Sequence, residues 1–160
     1  MGDSTKNIYV YADWAGLNNP HLMGTLTANQ IRGKEIFSFQ YADEWLKSGK
    51  AKILDPDLSL FSGFQHLRYE KLNFGMFLDS SPDRWGRVLM KRREIALAKQ
   101  ETRKAKTLFE SDFLLGVYDP LRMGGLRFKM DKDGDFLDND IHYATPPWTS
   151  IRELESASLE

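Results

Sequence analysis

The chain has 160 residues, enough to bury a core unaided, and no cysteine, which excludes a disulfide framework, a thiolate zinc site and a cysteine nucleophile. Its formal net charge of -1 hides an asymmetry, because positions 83 to 106 carry nine Lys or Arg against three acids. A run of that kind suits a solvated helix first and an acidic or nucleic-acid partner second.

Asn7 to Asp13, NIYVYAD, alternates and is rich in aromatic and β-branched residues, which predicts a first strand. Gly16 to Pro20, GLNNP, has the composition of a turn. Leu22 to Thr27 predicts a second strand and Glu35 to Tyr41 a third. In the third, Glu35, Phe37, Phe39 and Tyr41 share one face, with Ile36, Ser38 and Gln40 on the other. Ala42 to Ser48 reads as a short helix stopped by Gly49. From Ile53 to Gly63, a break at Asp55-Pro56 followed by alternation predicts an extended edge segment. Gln65 to Leu78 is apolar without a clean period and turns the chain towards a central helix.

Phe74 to Arg93, FGMFLDSSPDRWGRVLMKRR, organises the rest. Ser81 or Asp83 can cap a helix, and Pro82 suits its first turn, where no amide hydrogen is required. From Trp85, the residues Val88, Leu89, Ile95 and Ala96 recur at spacings near three and four and share a face, with Arg84, Arg87, Lys91 and Arg92 largely off it. This predicts a basic amphipathic helix running towards Thr107. Trp85 is expected buried between helix and sheet, Gly86 is expected to admit a close backbone, and Asp83 suits the positive end of the helix dipole.

Further on, Glu110 or Ser111 can cap a short buried helix through Leu114, Leu115 and Val117 that ends near Gly116. Gly125 to Met130 and Phe136 to Tyr143 flank Asp133-Gly134, a hairpin signal. Pro146-Pro147 marks a linker, and Ser150 to Glu153 is a capping box whose helix the chain end cuts short, so a truncated protein is expected. The fold class is therefore α+β. It has a strand-rich N-terminal lobe (1–80), followed by the basic helix, a short helix, a hairpin and a truncated C-terminal helix (81–160).

Reactive chemistry is hard to place on these residues. Asp131 to Asp135 imitates a calcium loop, but Gly134 stands fourth instead of sixth and His142 takes the place of the bidentate Glu. His21, His66 and His142 are scattered, and no phosphate loop, kinase catalytic motif or nucleophile elbow can be read. No apolar run approaches the roughly 20 residues of a membrane helix, and the N-terminus lacks the order of a signal peptide, which predicts a cytoplasmic protein.

Four segments taken together resemble a family: RGKEIFSFQYADEWL (32–46), LDPDLSLFSG (54–63), FGMFLDSSPDRWGRVLMKRR (74–93) and FLLGVYDPLRMGGLRF (113–128). They look like the N-terminal region of HipA-like proteins, the bacterial serine/threonine kinase toxins of type II toxin-antitoxin modules. The resemblance implies a non-catalytic strand-rich portion preceding a nucleotide-binding lobe. ATP and magnesium would belong to the full-length protein, and the phosphate loop, catalytic residues and metal ligands would follow Glu160. It also implies a HipB-like helix-turn-helix antitoxin as partner, with DNA met through that antitoxin. Asp79, Pro82, Asp83, Trp85, Gly86 and Arg87 match the most recognisable stretch and are expected to be structural. Arg84, Arg87, Lys91, Arg92 and Arg93 are the candidate partner contacts. A stand-alone, antitoxin-like interaction module and a nucleic-acid-binding domain are the competing expectations.

Overall fold

The alternation in the first third of the chain builds three long neighbouring strands, β1 (Ser4–Ala12), β2 (His21–Ile31) and β3 (Lys34–Tyr41). The computed structural model describes residues 4–67, 71–117 and 125–133. A short strand β4 (Phe64–His66) and a late one, β5 (Leu126–Lys129), complete an antiparallel sheet in the order β4-β3-β2-β1-β5. Helices α1 (Asp43–Lys47), α2 (Gly75–Asp79), α3 (Arg84–Gln100) and α4 (Glu110–Leu115) lie among these strands in the chain, so the fold is α+β as expected.

β2 and β3 form a tight hairpin in which Ile31 pairs with Lys34. Its two central residues, Arg32 and Gly33, both have positive φ, the backbone that a two-residue turn needs to match the strand twist. In β1 the residues Ile8, Val10 and Ala12 are buried, and in β3 Phe37, Phe39 and Tyr41 are, so one face of the sheet is apolar as the alternation predicts. Gly24 on β2 is required there, because a Cβ would collide with the Gln40 carbonyl and the Phe39 ring.

The apolar face is covered by Phe74, Met76 and Phe77 around α2 and by Leu114 of α4. Phe77 lies at the centre, with ring centroids 5.6 Å from Phe39, 6.1 Å from Phe74 and 6.2 Å from Phe128. Phe128 comes from β5, which pairs with β1. Residues from both sides of position 80 therefore share one sheet and one core.

The segment expected as an extended edge runs differently. Residues 55–58 form a turn, and the edge strand begins only at Phe64. Asp55 explains this. Its buried carboxylate accepts from the Asp57 amide at 2.9 Å and from the Met76 amide at 2.9 Å, so it closes its own turn and caps α2 from a distance. Burial, with the nearby Asp55 carboxylate adding to it, pushes the Tyr41 hydroxyl up to about 12. Phe136 to Tyr143, Pro146-Pro147 and the capping box at Ser150 lie outside the described residues, so the hairpin is described only on its Gly125 to Met130 side. There it is a strand, β5, paired with β1. No helix among the described residues is long and apolar enough to cross a membrane.

Candidate functional site

The stretch that carries the resemblance folds into a corner, with α2 and α3 joined by residues 80–83. Asp79 is the exposed last residue of α2. Ser80 and Ser81 turn their hydroxyls back onto the carbonyls of Met76 and Phe77, at 3.0 and 2.9 Å, which satisfies acceptors that the end of a short helix leaves open. Asp83 is the N-cap of α3, and its Oδ1 accepts from the Gly86 amide at 2.8 Å. Of the two expected caps the structure uses Asp83. Pro82 then precedes the cap instead of occupying the first turn, and it is buried, with its carbonyl accepting from Arg87 Nε at 3.1 Å.

Arg87 does not sit on the solvent face. Its guanidinium grips Glu110 through two hydrogen bonds of 2.6 and 3.0 Å, and its Cζ lies 4.7 Å from the centroid of the Phe113 ring. Glu110 opens α4, whose first turn is pinned to the sheet. Glu35 of β3 accepts from the Ser111 amide at 2.8 Å and from its hydroxyl at 2.5 Å, and Lys6 of β1 reaches Asp112 at 2.9 Å. Asp112 in turn accepts from the Phe109 amide at 2.8 Å, closing the helix start. A chain of polar contacts thus runs from the sheet through α4 to α3.

The far end of α3 is clasped by a second cluster. Arg103 bonds Glu94 at 2.6 Å and also pairs with Glu101, while the Lys106 amide donates to Glu94 at 2.9 Å. The helix stops at Gln100, short of Thr107. Thr102 takes a positive φ, the Thr102 amide returns to Lys99 and the Arg103 amide to Ala98. This is a Schellman ending with threonine where glycine is usual, so no glycine announced it.

The Arg103 hydrogen bond, aided by the Lys106 amide, holds the Glu94 carboxyl well below the usual range, at about 2. A depressed carboxylate stabilises above the unfolded value, near 4.5, and that contribution is lost as pH falls through the folded value. Carbon-detected NMR of the Glu94 carboxyl should therefore show it ionised at about pH 3, with the clasp opening only on further acidification. A midpoint in the ordinary glutamate range would show that the clasp does not form in solution.

These two anchors decide which side of α3 faces the protein. Gly86, Met90 and Ala98 are buried, with Arg87, Arg93, Glu94 and Leu97 partly covered beside them. An open pocket of about 250 Å³ lies between α3 and α4, bordered by Met90, Leu97, Leu108 and Leu115. The face that the periodicity marked as buried is turned outward instead. Trp85 is 37% exposed, Ile95 is 49% exposed, Ala96 is exposed, and Val88 and Leu89 are half-buried. The expected burial of Trp85 is thus overturned, because Arg87 and Met90 carry the opposite face onto α4. Trp85→Ala should accordingly cost less than the roughly 3 to 5 kcal/mol of a fully buried aromatic, as read from urea midpoints at constant slope.

The candidate contacts divide in the same way. Arg84, Lys91 and Arg92 are exposed, Arg93 is half-buried, and Arg87 is engaged with Glu110. Lys91 also leans over Phe113, with Nζ 5.9 Å from the ring centroid. No family model matches this chain, and no curated protein or solved structure gives a significant match.

Proposed function

We propose that this chain is the N-terminal, non-catalytic portion of a HipA-like serine/threonine kinase toxin, and that it contributes contacts to a helix-turn-helix antitoxin or to the adjoining kinase lobe. The observation that carries the reading is how the residues of the resemblance are used. Asp83, Gly86 and Arg87 spend their polar groups on fixing α3 at its corner, and the face they turn outward is apolar and cationic. Residues used in this way build a contact surface and leave phosphoryl transfer, with its ATP and magnesium, to a kinase lobe beyond Glu160.

Protein encoded by the gene beyond Glu160 supplies the test. A glycine-rich phosphate loop followed by a catalytic base and metal-binding acids, with magnesium-dependent phosphorylation by the longer protein and none by residues 1–160, is the expected result. An open reading frame that ends without them would leave a stand-alone interaction module in its place. ATP turnover by the purified chain itself would overturn the reading outright.

The nucleic-acid reading has less support, since Arg87 and Arg103 are both engaged with carboxylates. Duplex DNA titrated at about 0.1 M salt should show no steep salt dependence, where each phosphate contact would add roughly 0.9 to the logarithmic slope.

A further inference from the structure

Along the outward side of α3 the residues Trp85, Val88, Leu89, Ile95 and Ala96 form an apolar stripe, at the spacing that places side chains on one helix face. Exposed Arg84, Lys91, Arg92 and Lys99 lie within it and along its borders. Glu94 is the one acid in α3, and it is turned inward onto Arg103 and the Lys106 amide. Among the described residues, the outward surface of this helix therefore combines apolar area with exposed cationic side chains. The arrangement is held in place and is not incidental, because Asp83 caps the helix, Arg87 locks it to α4 and Arg103 clasps its end.

A surface of that kind selects its occupant by charge. A second copy of the chain would bring Arg84, Lys91 and Lys99 against the same cations, and like charges across an interface oppose association. A nucleic-acid duplex would satisfy the cations but leave Trp85 and Ile95 without apolar cover. An amphipathic helix with acidic borders satisfies both, laying its apolar residues along the stripe and its carboxylates against the cations. We propose that the outward face of α3 docks such a helix from a partner protein, with an apolar seam flanked by Asp or Glu. The proposal rests on the reading of this chain as a contact-making portion and names the chemistry of what it contacts.

The test uses the full isotope-labelled chain and three designed helical peptides that share one leucine seam, flanked by Glu, by Lys or by Ser. The Glu-flanked peptide should shift the amides of residues 84–99, bind at least about tenfold more tightly than the Lys-flanked one, and weaken as salt is raised. The double variant Trp85→Ser, Ile95→Ser should lose that binding while still unfolding cooperatively, and Ile95→Ser alone, at a side chain 49% exposed, should weaken it without moving the unfolding midpoint. Lys91→Glu with Lys99→Glu should reverse the preference between the Glu and Lys peptides.

Equal binding of all three peptides would reduce the face to unspecific apolar adhesion and overturn the proposal. So would shifts centred on the exposed Phe61 and Phe64 instead of α3, shifts that grow with protein concentration alone, or displacement of the Glu peptide by duplex DNA. A gene that does not continue into a kinase would sink the proposed function and leave this result untouched. Absence of peptide binding in a chain that does precede a kinase would sink only this inference.

Discussion

Phe77→Ala should be the most damaging single substitution in the described core, lowering the unfolding free energy by about 3 to 5 kcal/mol. Phe77 has no exposed surface and links helix to sheet, with Phe39 of β3, Phe128 of β5 and Phe74 beside α2 around its ring. Truncation removes a large apolar transfer term and leaves a cavity that elements of different origin cannot jointly collapse into. A single domain has only about 5 to 15 kcal/mol in hand, so the variant should be substantially unfolded under mild denaturant. Phe61→Ala is the matched control. That ring is 50% exposed, and its loss should stay within about 0.5 kcal/mol. Comparable midpoints for the two variants in urea would mean that the sheet and α2 do not share one core.

Arg87→Ala should cost about 2 to 3 kcal/mol, less than the roughly 3 to 5 kcal/mol typical of a fully buried pair because this one keeps some contact with water. The side chains of Arg87 and Glu110 are 25% and 14% exposed. Removing the guanidinium strands the Glu110 carboxylate in a half-buried place and strips the Phe113 ring of the nearer of its two cations. Arg87→Lys should not restore stability, since an ammonium cannot hold two carboxylate oxygens and stack on the ring as a planar guanidinium does. A double-mutant cycle with Glu110→Gln isolates the pair, and coupling indistinguishable from zero would return Arg87 to the candidate partner contacts. The comparison with Trp85 matters for function. Within one stretch of α3, Arg87 is expected to matter for folding and Trp85 for what the folded protein touches.

Local features of this fold were legible in the amino-acid order. Strict alternation placed Phe37, Phe39 and Tyr41 on one buried face of β3, the capping candidates Ser81 and Asp83 marked the start of α3 to within two residues, and Gly49 and Gly116 marked the ends of short helices. Each depends on neighbours a few residues away, so a pattern can carry it. The β2–β3 turn was legible in principle from the Arg32-Gly33 step between alternating runs, although arginine is a poor signal for a positive φ. The end of α3 was not, since Thr102 takes the left-handed conformation under the hold of Arg103 and Glu94.

Which face of α3 looks inward was settled by tertiary contacts alone. Periodicity says which residues share a side of a helix, but the orientation is a competition between sides. Here a bidentate Arg87–Glu110 pair, itself fixed to the sheet through Ser111 to Glu35 and through Asp112 to Lys6, outweighs the apolar stripe through Trp85 and Ile95. Those contacts join residues 23, 76 and 106 positions apart, beyond the reach of any local pattern. The same holds for β5, which takes its place beside β1 from the other end of the described chain. Long-range polar anchoring thus left an apolar and basic face partly exposed, where helical periodicity had predicted part of the core.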